Sequence, residues 1–254
     1  MLFDTHAHYN DRQFSTDLDE VLSQMQENGV GLIMNPATKA DEFEEVIAMC
    51  EKYPFMYGAV GVHPEEVDTV NDALADEIRK YAKHPKIKAI GEIGLDYYWV
   101  QDNKEKQKAL LAMQIELAKE LNLSVIIHDR DAHGDTMQLL REHKVWECGG
   151  VFHCYSGSAE MVREILDWGM YVGFGGALTF KNAVKPCEAA AAVPLDRLVV
   201  ETDAPYMAPV PMRGKRNVSM YTKYVAEKLA QIKGIEAAEM ESICFENGKR
   251  LYRI

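Results

Sequence analysis

The sequence predicts an α/β fold, a single (β/α)8 barrel with an extra C-terminal helix, and three observations predict it. The chain has 254 residues, close to the roughly 250 of a typical barrel of this kind. Eight short apolar runs alternate with longer amphipathic stretches, as they do when parallel strands are joined by right-handed helical crossovers. The imidazole and carboxylate groups of six of those runs gather toward the C-terminal end, where α/β barrels place their reactive groups. An open doubly wound sheet satisfies the periodicity equally well. No low-complexity linker or strong internal repeat divides the chain, so residues 1–254 are read as one domain.

The apolar runs are LFDTHAH (2–8), VGLIMNPA (30–37), MYGAVGVHP (56–64), IKAIGEIGLD (87–96), LSVIIHD (123–129), GVFHCYSG (150–157), YVGFGGALTF (171–180) and RLVVETDAP (197–205). Helices are expected between them. Leu18, Val21, Leu22 and Met25 fall at helical spacing after the first run, Asp17 with Glu20 is spaced as a capping box, and Asn28-Gly29 marks the helix end. Phe43, Val46, Ile47 and Cys50 repeat the pattern, as do Leu110, Met113, Leu117 and Leu121. The stretch after Ser158 and the Ala-rich 183–193 supply two more crossovers, and helices at about 219–233 and 236–252 end the chain.

A hydrophobic content of 47% provides for a large core. The net charge of −12 argues against a protein coated with long duplex DNA, since such binding rests on Lys and Arg neutralising phosphates. It leaves room for a local basic pocket, and bound divalent ions would offset part of the charge. The five cysteines are odd in number, widely spaced and without a CxxC. They read as reduced thiols of a cytoplasmic protein rather than as a disulfide framework or a zinc site. MLFDTHAHYND lacks the basic and apolar regions of a signal peptide, and no run approaches the ~20 apolar residues of a membrane helix.

His6-x-His8 places two imidazoles on one face of the first strand, with Asp4 deeper on that face and able to orient a histidine from behind. His63 closes the third run, Glu92 and Asp96 the fourth and His128 the fifth. His153 lies in the sixth, and Glu201 and Asp203 close the eighth. A lone histidine on an apolar strand is more often a hydrogen-bonded core residue than a ligand. His6, His8, Glu92, His128, His153 and Asp203 near the same end of five strands are a different matter, because burying them all without a metal would be costly. Such a set suits zinc, manganese, iron or, less readily, magnesium. His84 and His143 read as solvated, and His133 as the start of a helix.

The motifs DTHAH (4–8), GVHP (61–64), GEIGLDYY (91–98), HDRDA (128–132), FHCYSG (152–157), ETDAPY (201–206) and RGKRN (213–217) span nearly the whole chain in this order. In this they resemble the TatD family of metal-dependent deoxyribonucleases, within the amidohydrolase superfamily. The resemblance implies a TIM barrel that hydrolyses DNA phosphodiesters, often from the 3′ end. It implies one metal held by His6, His8, Glu92 and Asp203, a second held by Glu92, His128 and His153, and a His63 that contacts the scissile phosphate. The family commonly continues RGKRN with Glu-Pro, whereas Val218-Ser219 follow here. Whatever that Glu contributes to substrate or metal is absent, and the entry to the next helix differs.

The expected chemistry is therefore two-metal hydrolysis with Mg, Mn or Zn, in which Asp203 accepts the water's proton and Glu201 positions Asp203 or a histidine. Arg213, Lys215 and Arg216 form a compact basic cluster that reads as a phosphate grip, and Arg130 is a further candidate. Tyr97, Tyr98, Tyr155 and Tyr206 sit beyond strand ends and are candidates for base stacking. The expected substrate is a short single strand or frayed end of DNA, taken by a cytoplasmic monomer with no membrane attachment. Two other readings use the same residues: hydrolysis of a C–N or carboxylic ester bond in a small molecule, and a metal-dependent binding scaffold without turnover.

Overall fold

The computed structural model describes residues 1–99 and 102–254. Strands and helices alternate as β1 (Leu2–Asp4), α1 (Leu18–Ser23), β2 (Val30–Pro36), α2 (Phe43–Lys52), β3 (Met56–Val60), α3 (Leu74–Tyr81), β4 (Ile87–Asp96), α4 (Lys104–Leu121), β5 (Ser124–Arg130), α5 (His133–Glu142), β6 (Gly150–Phe152), α6 (Ala159–Asp167), β7 (Tyr171–Phe174), α7 (Val184–Ala192), β8 (Leu198–Val200), α8 (Thr222–Lys233) and α9 (Ala237–Tyr252). The strands form one sheet in the order β1 to β8. Each described pairing is parallel. At the closing edge the Thr5 N–H donates to the Val200 carbonyl at 3.1 Å, and Ala7 bridges Ala204 in parallel. This is the (β/α)8 barrel, and α9 is the extra helix.

By their packing the described residues form two compact units, residues 1–35, 154–167 and 171–254, and residues 36–153 and 168–170. In the first, α9 lies against β1. Gly248 is required there, because a Cβ would come within 2.5 Å of the Phe3 ring. The Tyr252 ring centroid is 5.8 Å from that of Phe3, and its buried hydroxyl donates to the Thr5 carbonyl at 2.9 Å. The end of β1 is thereby pinned.

In the second unit α4 packs on β4. The buried face of α4 includes Leu110, Leu111, Ile115 and Leu117, and also the fully buried amides Gln107 and Gln114. Met113, placed on that face by spacing, is only half-buried. Each amide pairs with backbone as a neighbouring strand would. Gln114 accepts from the Val62 N–H at 2.7 Å and donates to the Val62 carbonyl at 3.0 Å. Gln107 does the same for Asp96, at 2.9 and 3.0 Å. Buried backbone groups need such partners, and these two hold the chain just before His63 and at the end of β4. Gly94 has φ +157°, and a Cβ there would lie 1.8 Å from the His128 carbonyl oxygen; the glycine lets β4 lie flush against β5.

Several boundaries differ from those that periodicity predicts. β1 stops at Asp4, with His6 and His8 beyond it, and β7 stops at Phe174, followed by a 3-10 turn over Gly176–Thr179. The helix expected from 219 opens as a 3-10 turn at Ser219–Tyr221. α1 is short, and Asp17 caps nothing with its side chain. The Asp17 carboxylate instead grips Arg216, with Nη1 at 2.9 Å and Nη2 at 2.6 Å. An ion pair across 199 positions of sequence has outcompeted the local cap.

Candidate metal centre

Past β1 the chain stays extended. The Ala7 N–H donates to the Met34 carbonyl at 2.9 Å and the His8 N–H to the Ala204 carbonyl at 2.7 Å. This ladder sets His6 and His8 side by side, their Nε2 atoms 3.0 Å apart. Asp203 Oδ1 lies 3.7 Å from His6 Nε2 and 3.4 Å from His8 Nε2. Asp203 has φ +58°, a left-handed conformation that Asp tolerates better than most side chains. Its N–H donates to the His6 carbonyl at 2.9 Å, and its own carbonyl accepts from the Tyr206 N–H at 2.8 Å. The turn after β8 is thus fastened on both sides of the carboxylate. One donor atom from each of His6, His8 and Asp203 falls within 4.8 Å of the others. Two imidazole nitrogens and a carboxylate oxygen at that spacing fit a divalent ion.

Asp4 is wholly buried below this group. Its carboxylate accepts from the Thr202 N–H at 2.9 Å, the Thr202 hydroxyl at 2.5 Å and the His6 N–H at 3.4 Å. It therefore fixes the backbone of His6 and of the residue before Asp203, where sequence reasoning had it orient an imidazole. Burial pushes its carboxyl up to about 7, against the hydrogen bonds from Ser219 and Thr202. Glu201 is also fully buried and accepts from the Cys154 N–H.

The second unit carries its own group. Glu92 Oε1 is 2.8 Å from His128 Nδ1, 2.8 Å from His153 Nε2 and 3.6 Å from His63 Nε2. His128 Nδ1 is 3.4 Å from His153 Nε2. On its far side His128 Nε2 lies 3.0 Å from Asp96 Oδ2. A carboxylate on Nε2 fixes the tautomer and leaves Nδ1 as the atom for a cation. Burial would lower the His128 pKa, but Asp96 and Glu92 together push it up to about 9. Two carboxylates around one imidazole favour its positively charged form. Donor atoms of His63, Glu92 and His128 lie within 4.8 Å of one another. His63 differs from its neighbours: its Nδ1 accepts the Glu65 N–H at 3.2 Å, so in the neutral ring Nε2 carries the hydrogen and donates.

The basic candidates separate. Arg216 is engaged by Asp17, donates also to the Gln13 carbonyl and lies over the Phe14 ring at 4.5 Å. It clamps the chain before α8 to the chain before α1. Arg213 and Lys215 are exposed, with Arg213 over Phe180 at 4.1 Å. Arg130 is exposed and stacked on Tyr98 at 4.0 Å. Of the tyrosines, Tyr97 donates to Asp135 at 2.7 Å, Tyr155 to the Ser158 carbonyl at 2.7 Å and Tyr206 to Asp11 at 2.6 Å. His84 pairs with Glu51 at 3.2 Å, His143 with Glu116 at 2.8 Å and His133 with Asp129 at 2.7 Å.

Two residues with clear structural work received no role from the sequence. Asp96 reads in sequence as a strand-end carboxylate, and its place in GEIGLDYY, four residues after Glu92, is the signal of more. Asn217, fully buried, donates to the Thr202 carbonyl at 2.8 Å and the Tyr206 carbonyl at 2.7 Å. It braces the turn that carries Asp203. At the departure from the usual Glu-Pro, Ser219 donates its N–H to the buried Tyr9 hydroxyl at 2.9 Å and its Oγ lies 2.8 Å from it.

The family described as TatD related DNase matches residues 3–253. The chain belongs to the TatD family. The metal-dependent hydrolase YabD of Bacillus subtilis is 46% identical over the whole of both chains. The 3'-5' ssDNA/RNA exonuclease TatD of Klebsiella pneumoniae is 31% identical, covering 100% of this chain and 98% of that protein. The crystal structure of YjjV, a TatD homologue from Escherichia coli, superposes with a TM-score of 0.92 at 32% identity, covering 100% of this chain and 98% of that one. This TatD-family protein is accordingly a metal-dependent hydrolase of (β/α)8 fold. No helix among its described residues is long and apolar enough to cross a membrane, and its five cysteines are thiols.

Proposed function

We propose that this TatD-family hydrolase cleaves phosphodiester bonds of DNA, stepwise from the 3′ end of short single strands or frayed ends, with two divalent ions. One ion belongs to His6, His8 and Asp203, the other to Glu92, His128 and His153. The observation that carries the reading is the donor geometry: donor atoms of His6, His8 and Asp203 within 4.8 Å of one another, and Glu92 Oε1 2.8 Å from both His128 Nδ1 and His153 Nε2, which are themselves 3.4 Å apart. Zn and Mn fit donors of this kind, and Mg less readily. A relative named as a 3'-5' ssDNA/RNA exonuclease supports the choice of nucleic acid over other esters.

Held by these residues, divalent ions would supply polarisation of phosphoryl oxygens and a water nucleophile near neutral pH. The protein's own groups do the rest. Asp203 accepts the proton of the attacking water. His63, with its hydrogen on Nε2, donates to a non-bridging phosphate oxygen. Asp4, Thr202 and Asn217 keep the Asp203 turn in register, while Asp96 holds His128. Arg213 and Lys215 grip flanking phosphates, and Arg216 does not, its fork being filled by Asp17. We assign the activity to a cytoplasmic monomer.

The test is a substrate panel offered to the metal-loaded protein: a labelled single strand, a closed duplex, a dihydropyrimidine and a lactone. The reading expects the single strand to be cut and the other three to be spared. Turnover of the dihydropyrimidine or lactone alone would move the activity to C–N or carboxylic ester bonds. Tight binding of the strand without turnover would make the protein a scaffold.

A further inference from the structure

Just beyond β4 the chain exposes two large rings. Tyr98 is 50% and Trp99 61% accessible, and contiguous exposed apolar surface is where ligands dock. The rings are fixed in place. Tyr98 and Trp99 pack edge to face with centroids 4.7 Å apart. The Arg130 guanidinium lies over Tyr98 at 4.0 Å and 5.4 Å from the Trp99 ring. Below them the backbone N–H groups of Tyr98 and Trp99 both donate to Asp96 Oδ1, at 2.9 and 3.0 Å. The other oxygen of that carboxylate is the one 3.0 Å from His128 Nε2. A single side chain therefore ties the aromatic turn to a proposed metal ligand.

We propose that Tyr98, Trp99 and Arg130 form a stacking platform for an unpaired base of the substrate strand, next to the phosphate being cleaved. This rests on the nuclease reading above and gives that site its preference for single-stranded ends. Three features favour a base as the occupant. Exposed aromatic faces stack on any base, whatever the sequence. Arg130 adds positive charge beside those faces in a chain of net charge −12, where a polyanion otherwise finds little attraction. A base inside a closed duplex already has both faces covered, so the platform serves only bases that are free of their partners. Arg130 stays stacked on Tyr98 and presents its edge to the phosphate, while Trp99 receives the base.

The experiment measures binding to the metal-loaded protein of a fluorescent four-nucleotide oligothymidine with phosphorothioate linkages, which slow cleavage. A probe of equal length and linkage but without bases is the control. Wild type, Trp99→Ala and Trp99→Phe are compared. Base–aromatic stacking is a large, sequence-tolerant contribution, so Trp99→Ala is expected to weaken the thymidine probe by about tenfold. Trp99→Phe should stay within about threefold of wild type, and the baseless probe should bind all three proteins alike. Equal binding of the thymidine probe by wild type and Trp99→Ala overturns the platform and leaves the nuclease reading standing. An equal loss of both probes on Trp99→Ala also overturns it, since the ring would then support the site rather than a base. Failure of wild type to bind either probe overturns the nuclease reading, and the platform with it.

Discussion

Asp96 Oδ2 stands 3.0 Å from His128 Nε2, and this contact decides which nitrogen of His128 faces Glu92. Asp96 is fully buried. Burial alone would raise its pKa, but the bond to His128 and the N–H groups of Trp99 and Tyr98 hold it below the usual carboxylate range. It is thus an anion whose charge orients a proposed ligand. Carboxylates that support a metal-bound histidine are commonly worth 10–100-fold in metal affinity. Asp96→Asn is expected to weaken metal binding by about that factor, read by competition with a chromophoric chelator. An unchanged affinity would mean that His128 needs no such support.

Arg216 and Arg213 should behave differently although only three positions separate them. Arg213→Gln and Lys215→Gln each remove a cation proposed to meet phosphate. Each should raise KM for single-stranded substrate and lower the salt dependence of binding by roughly 0.7 in log–log slope. Arg216→Gln should leave that slope unchanged and lower the melting temperature, because it strands the Asp17 carboxylate. The same salt-slope change in all three variants would place Arg216 on the substrate after all.

Asn217→Ala leaves two carbonyls, those of Thr202 and Tyr206, without their donor. A buried unpaired carbonyl costs about 1–3 kcal/mol; the Thr202 carbonyl is the buried one of the pair, and the affected turn carries Asp203. Urea denaturation should show a loss of that order, with kcat falling more than KM rises. Full activity with unchanged stability would show that the turn holds itself.

The buried thiols give a pH dependence that needs no metal. Burial pushes Cys50 and Cys244 from 9.0 up to about 12. The unfolded chain releases those protons at lower pH than the fold does. Their contribution to stability is therefore complete below about pH 9 and is lost as pH rises toward 12. In native protein at pH 8, iodoacetamide should label the half-buried Cys154 and Cys187 first and reach Cys50 and Cys244 only on unfolding. Peptide mapping checks the order, and equal labelling of all five would contradict it.

The barrel was legible because strands buried on both faces read as unbroken apolar runs, and the candidate ligands because an imidazole or carboxylate interrupts such a run conspicuously. Positions 6, 8, 63, 92, 128, 153 and 203 all surfaced this way. What stayed hidden were groups whose partners are far off in sequence. Asp17 has the spacing of a cap, and only the fold reveals Arg216 as its partner. Gln107 and Gln114 look like solvent residues on a helix until the backbone of Asp96 and Val62 is seen against them. Asn217 carries no charge to draw attention, and its work is done on carbonyls, which no side-chain pattern records. Trp99 carries no sequence signal, because an aromatic in a turn has no period to belong to.

The most direct test of two-ion phosphodiester hydrolysis is a time course on a short 3′- or 5′-labelled single strand. It compares metal-stripped protein, protein reloaded with Mg, Mn or Zn, and the reloaded Asp203→Asn variant, whose Asn tolerates the left-handed turn. Two-ion hydrolysis requires no cutting without metal, a ladder shortening from the 3′ end once metal is restored, and loss of that ladder in the variant. Cutting that survives metal removal, or a variant as active as wild type, would contradict it.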